Sequence, residues 1–235
     1  MQRFVIIFLF LLTFNSTFSQ SLGEYPPFTK WYQNPLGFSP VQLHTSNAII
    51  LPALAAGAIL LLTNKDTSLK NKVSYYNETG YSKGYYGNYT NLLESNFGVL
   101  FNLRRYLSLG AEFTTYYAFD EKNNTTGFGI RPFARFYPVN NNNLKLYFES
   151  GAGIVGFIDK FPQPSGFFGD NRTGTHFNGN PKYGIGASYR LNNKLDLNLA
   201  VKHFHISNGN TAGEENNPGH DSNGFTLGLV YNPIR

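Results

Sequence analysis

Residues 106–119 read YLSLGAEFTTYYAF, and this stretch decides the fold. Leu107, Leu109, Ala111, Phe113, Tyr117 and Phe119 alternate with Ser108, Gly110, Glu112 and Thr114. A period of two is the signature of a β-strand with two unlike faces. The pattern recurs in residues 97–103 (Phe97, Val99, Phe101, Leu103) and 126–137 (Phe128, Ile130, Ala134, Phe136 against Gly127, Gly129, Arg131, Arg135). It recurs again in residues 144–158, where Leu144, Leu146, Phe148, Ala152, Ile154 and Ile158 oppose Lys145, Glu149, Gly151 and Gly153. Residues 183–191, 194–207 and 223–231 complete the series, with Arg190 on the polar face. Several of these runs exceed the ~5–6 residues of a typical globular strand.

Asn-rich links at 140–143 and 191–193 read as tight turns, whereas 161–181 and 209–223 read as long polar loops. Long strands with apolar and Gly/charged faces, tight turns and long loops describe an outer-membrane β-barrel. A soluble sandwich is the alternative, but its strands are shorter and turn polar outward. Single-chain barrels have even strand numbers, so an eighth strand is expected within the Tyr-rich residues 73–89. The expected fold is thus all-β, an eight-stranded antiparallel transmembrane barrel, in which Glu112, Arg131, Arg135, Glu149 and Arg190 face a filled interior and pair there.

Composition agrees. Charged residues make up 14% of the 235 residues, well below the ~25% of soluble domains. Aromatics reach 17%, with 22 Phe and 16 Tyr. That much apolar surface excludes disorder. The absence of repeated apolar runs of about 20 residues excludes a helical bundle. There is no Cys, which excludes a disulfide framework and thiolate chemistry. Nothing resembles a phosphate loop, zinc ribbon or nucleic-acid patch, so no nucleic-acid partner is expected.

Residues 1–20, MQRFVIIFLFLLTFNSTFSQ, have one basic residue, an apolar core and a small-residue site near Ser19. That is the form of a secretory signal peptide. Its removal takes Arg3 away and the net charge from +5 to +4. An N-terminal extension follows over residues 21–70, Pro-rich at first and then apolar at 48–63 (AIILPALAAGAILLLT). We expect a buried or membrane-associated helix there, N-capped by Asn47 and accepting Pro52 in its first turn; a long apolar strand is the alternative. The barrel is expected over residues 71–235.

The stretch 194–207 carries the chemistry. Leu195, Leu197, Leu199 and Val201 form a lipid-facing row, and the same parity continues as His203, His205 and Ser207. Polar groups on such a face call for a function. Residues i and i+2 lie about 6.5–7 Å apart on one face, which lets an imidazole reach a hydroxyl and activate it. In the last strand Phe225, Leu227, Leu229 and Tyr231 face outward, and parity puts Asp221 on that side, next to His205. Ser207, His205 and Asp221 are a candidate triad. A metal site built from His203, His205, His220 and Asp221 is a rival, but it leaves Ser207 and Asn208 without a role.

His205-Ile206-Ser207-Asn208, followed by Asn217-Pro218-Gly219-His220-Asp221-Ser222 and a last amphipathic strand, resembles the PagL-type lipid A 3-O-deacylases. These are eight-stranded outer-membrane barrels with a His-x-Ser-Asn motif on the lipid-facing wall. The resemblance implies a serine esterase that removes an ester-linked 3-hydroxyacyl chain from lipid A, the lipid anchor of lipopolysaccharide. It implies Ser207 as nucleophile, His205 as base, Asp221 as acid, and Asn208 and Asn217 near the oxyanion. It implies no cofactor and no metal. Lipid A and the outer-membrane lipids would be its partners, and Lys160 and Arg172 could meet the glucosamine phosphates. The chain departs from the pattern in having Asp rather than Glu, a slightly longer loop and a Tyr231–Arg235 ending. Glu214 and Glu215 therefore stay open as the acid. Two other readings are a non-catalytic barrel serving adhesion or membrane integrity, and an outer-membrane phospholipase or acyltransferase.

Overall fold

The computed structural model describes residues 45–64, 69, 72–87, 89–164 and 170–233. The expected signal peptide at 1–20 and the Pro-rich residues 21–44 lie outside the described residues. A helix, α1 (Thr45–Leu62), precedes the strands β1 (Val73–Gly87), β2 (Asn91–Arg104), β3 (Leu107–Phe119), β4 (Asn124–Asn140), β5 (Leu144–Phe161), β6 (Thr175–Arg190), β7 (Leu195–Ile206) and β8 (His220–Tyr231). Consecutive strands pair antiparallel, and β1 pairs with β8 to close the barrel. Closure leaves no unpaired sheet edge, which is what a sheet needs inside hydrocarbon.

The alternation read from the sequence is the alternation of the wall. Phe97, Ile130, Ile154 and Leu227 are 54–64% exposed on the outside. Glu78, Asn96, Glu112, Arg131, Arg135, Glu149, Lys182 and Lys202 are buried within. Small inward residues make room for large ones: a Cβ on Gly98 would fall 2.3 Å from the Tyr76 ring, and one on Gly110 2.3 Å from the Phe133 ring. The charges form one continuous network. Glu112 accepts from Arg131 Nε (2.8 Å) and meets Lys182 Nζ (2.7 Å), and Glu149 meets Arg131 (2.5 Å) and Arg135 (2.6 Å). Lys182 reaches Glu94 (3.1 Å), and Lys202 pairs with Glu78. Four carboxylates thus oppose four cations, with Arg135 also stacked over Tyr76 and Tyr147. Arg190 lies half-buried at the turn end of β6.

The structure corrects several expectations. The eighth strand does fall in the Tyr-rich segment, as β1. At the turn end, residues 105–106, 141–143 and 191–194 are tight, as expected. At the opposite end, 88–90 and 120–123 are also short, and the long connections are 162–174 and 207–219. The strand β6 begins at Thr175, within the segment read as loop. Asn178 and Asn180 point in while Gly179 and Pro181 occupy the apolar register, so no hydrophobic alternation marks it. The strand β8 likewise begins at His220. In α1, Asn47 is inside the helix and Pro52 is interior rather than in the first turn. Packing on the barrel, described below, outweighs the lost hydrogen bond.

Breaking a buried ion pair from one side costs about 3–5 kcal/mol. We therefore expect Glu149→Ala, which strands Arg135 and leaves Arg131 with Glu112 as its carboxylate, to lower markedly the urea midpoint of the folded band on unheated gels. An unchanged midpoint would mean that the interior charges are solvated.

Candidate active site

The site lies where β7 runs into loop 207–219. Register pairs His203 with Asn223 and His205 with Asp221. On the other side Tyr183 pairs with His203, and an isolated bridge joins Gly179 to Ser207. That bridge, with Gly179 N–H donating to Ser207 O (2.7 Å) and Ser207 N–H to Gly179 O (3.2 Å), fixes the Ser207 backbone one residue beyond the strand.

The side chains form a row on the outer wall. The Ser207 hydroxyl lies 3.0 Å from His205 Nε2, and His205 Nδ1 lies 2.7 Å from Asp221 Oδ1. The carboxylate accepts from Nδ1–H, so it selects the tautomer whose Nε2 lone pair faces the hydroxyl. Asp221 is 6% exposed, and the His205 side chain keeps 25%. Glu214 and Glu215 fall in a short 3-10 turn, η1 (Glu214–Asn216), with both residues exposed. Among the described residues, Asp221 is the carboxylate that holds His205.

The sequence reading gives His203 no place beside the acid. His203 is buried beside the acid, with Nε2 3.5 Å from Asp221 Oδ1. Its Nδ1 lies 3.0 Å from Asn223 Oδ1 and 3.4 Å from the Tyr85 hydroxyl, and its ring lies 4.8 Å from that of Tyr183. Parity placed it on this face. One of its partners, Tyr85, lies on β1, which periodicity does not mark. His220 has the opposite parity: it is fully buried inside, edge-on to Phe161 at 5.3 Å. The four-residue metal set is therefore split across the wall. Among the described residues no group of three or more such side chains is placed to hold a metal ion.

Asn208 and Asn217 meet each other. Asn208 N–H donates to Asn217 Oδ1 (3.2 Å), Asn208 Nδ2 donates to Asn216 O (2.7 Å), and Asn208 Oδ1 accepts from Asn210 N–H (2.9 Å). Asn217 Nδ2 donates to Asn210 Oδ1 (2.7 Å). The turn they brace needs positive φ at Gly209 (61°) and Asn210 (63°), which Gly and Asn tolerate best. Arg172 lies in the connection before β6. It pairs with Asp170 (2.6 Å) and donates from Nη1 to Glu214 O (2.8 Å), tying loop 162–174 to loop 207–219. The same pairing holds the Asp170 carboxyl below its ordinary range. Lys160 is exposed at the loop end of β5.

A closed eight-stranded barrel with an apolar outer band and a filled, charged interior defines a small outer-membrane β-barrel protein. Among solved structures, the chain is similar to neisserial surface protein A, NspA (TM-score 0.52, 12% identity, covering 68% of this chain and 97% of that one). It is also similar to the outer-membrane enzyme PagL (TM-score 0.50, 15% identity, 64% and 97%). At such identities these likenesses show the fold. No curated protein matches the chain. The model of the lipid A 3-O-deacylase (PagL) family matches residues 113–230, half of the 235 residues. The chain belongs to this family of bacterial outer-membrane hydrolases, and its activity is lipid A deacylation.

We expect Arg172→Ala to speed proteolytic nicking within 207–219 several-fold while the barrel keeps its folded mobility. Limited proteolysis read by mass spectrometry measures this, and an unchanged nicking rate would show that the clamp does not hold the loop.

Proposed function

We propose that the protein is a serine esterase that cleaves an ester-linked 3-hydroxyacyl chain of lipid A in the outer leaflet, with Ser207, His205 and Asp221 as its triad. The observation that carries this is the bonded row Ser207–His205–Asp221 on the lipid-facing wall at the loop end. Long loops of such barrels are extracellular. The row therefore meets the outer leaflet where acyl esters leave hydrocarbon for headgroup, and the substrate need not leave the membrane.

In the first half-reaction His205 Nε2 takes the hydroxyl proton as Ser207 Oγ attacks the ester carbonyl carbon. Asp221 keeps Nδ1–H in place and offsets the charge of the imidazolium. The tetrahedral intermediate collapses as His205 returns that proton to the departing sugar oxygen, leaving acyl-Ser207. Water, deprotonated by His205, then attacks the acyl carbonyl and releases the fatty acid, and the proton returns to Ser207. Neither step needs a cofactor.

The oxyanion requires donors. Asn208 Nδ2 donates to both Asn216 O (2.7 Å) and Thr175 Oγ1 (3.4 Å), so its role is to shape the turn. We assign the oxyanion to Asn217 Nδ2, which spends one hydrogen on Asn210, and to the Gly209 N–H of the turn that follows Ser207. His203, braced by Asn223 and Tyr85, is a positioning residue that steadies Asp221 at the same Oδ1 that His205 meets.

Mass spectrometry of lipid A incubated with the detergent-folded protein tests the reading. Loss of one hydroxyacyl mass is expected with wild type, and a fall of at least ~10³-fold in rate with Ser207→Ala or His205→Ala. His203→Ala should lower kcat by about 10-fold, the loss of one hydrogen bond near a charge, while leaving KM unchanged. Intact lipid A from a folded sample that hydrolyses phospholipid instead would overturn the substrate. Undiminished activity in Ser207→Ala would overturn the mechanism.

A further inference from the structure

The helix α1 carries no charge along its length, and its two sides meet different surroundings. Ala55, Ala56 and Ile59 are buried, whereas Ile50, Leu54, Leu61 and Leu62 are 53–87% exposed. The buried side packs with Leu60 against Leu107, Leu109, Ala134 and Phe136. Those four barrel residues have outward parity, in register with each other across β3 and β4. Leu109 is also paired with the exposed Phe101 on its other side. The patch under the helix is therefore part of the lipid-facing band, and Leu107 and Ala134 are buried there at 0% and 4%. The helix also packs against β5 and β6. On those strands the outward-pointing Ser150, Ala152 and Pro181 are buried as well, while Ile154 and Ile158 beyond them stay exposed. Pro181 is one strand away from the His205 row.

The C-terminal end of α1 is fastened. Thr63 N–H donates to Ile59 O (3.0 Å), and Arg104 at the turn end of β2 donates from Nη2 to Leu60 O (3.3 Å) and from Nε to Thr63 Oγ1 (3.2 Å). A guanidinium there satisfies terminal carbonyls and complements the negative end of the helix dipole. Arg104 also marks the level at which the apolar band gives way to polar surroundings.

We propose that α1 is a bilayer-embedded rib: one face is clamped on the outer wall over β3–β6 beside the active site, and the other is immersed in lipid hydrocarbon. The occupant of the exposed face is acyl chain, because Ile50, Leu54, Leu61 and Leu62 continue the apolar band on which they sit. In water each would forgo roughly 1.5–3 kcal/mol of burial, whereas hydrocarbon accepts an uncharged, mostly apolar helix whose backbone bonds, save the one Pro52 gives up, are internal. Among the described residues no helix is long and apolar enough to cross a membrane. The clamped helix does not need to cross, since the barrel provides the crossing. This inference does not rest on the chemistry at Ser207.

The chain has no Cys, so single labels are clean. Nitroxides at Leu54→Cys and Leu61→Cys, in proteoliposomes of the folded full chain, should be reached by oxygen and shielded from a water-soluble nickel chelate. They should match a label at Leu227→Cys and differ from one at Lys122→Cys in the loop. In the same membranes, the pair Ala56→Cys/Ala134→Cys should form a disulfide on mild oxidation. Nickel access like that of Lys122→Cys would place the helix in water and overturn the proposal. Labels reached by neither reagent would show a protein cover, such as a second copy, and overturn the lipid contact. Lipid-exposed labels without the disulfide, in a sample of folded mobility, would overturn the clamp.

Discussion

Every strand of this barrel has two hydrogen-bonded neighbours because β1 pairs with β8, from Tyr75↔Tyr231 up to Gly87↔His220. In hydrocarbon an open sheet edge would leave backbone donors and acceptors unmet, each at a cost of several kcal/mol. Closure in turn commits each residue to one of two solvents. The outer face must be apolar, and the inner face of so small a barrel must be filled. Glu78, Glu94, Glu112 and Glu149 can be buried because Arg131, Arg135, Lys182 and Lys202 are aligned with them by the same register. The plug stabilises the wall only as a complete set, since any unpaired member would be a charge without water.

The active site is a continuation of that rule rather than an exception to the fold. Strand β7 keeps its outward parity from Leu195 to His205, and Ser207 extends it by one bridge to Gly179. Ionisable groups on a lipid face are tolerable where they satisfy one another. Asp221 is held by two imidazoles, and His203 is enclosed by Tyr85, Tyr183 and Asn223. The exposed member is His205, whose Nε2 must face the hydroxyl and the substrate. Loop 207–219, which begins at Ser207, is braced by its own asparagines and clamped by Arg172.

Sequence reveals those parts in which burial and hydrophobicity run together. Strands β3, β4, β5 and β7 alternate cleanly, so the barrel, the inward charges and the shared face of Ser207, His205 and Asp221 are all legible in the residues alone. The first half of β6 is not, because Asn178, Gly179, Asn180 and Pro181 carry no hydrophobic contrast. Strand β1 is obscure for a related reason: it places Asn77 and Thr79 outward and Tyr76 inward, which blurs the period. The bracing of His203, the clamp by Arg172 and the seat of α1 on the wall are contacts between elements distant in sequence. No local pattern encodes them.

The central claim is that a nucleophilic Ser207 works on the lipid-facing wall, activated by His205. Reaction of the folded protein with an alkyl fluorophosphonate in detergent micelles, followed by peptide mapping, tests it most directly. The account predicts a phosphonyl adduct on Ser207, formed rapidly in wild type and lost in His205→Ala with the barrel still folded. An adduct on another residue, or the same labelling rate without His205, would contradict it.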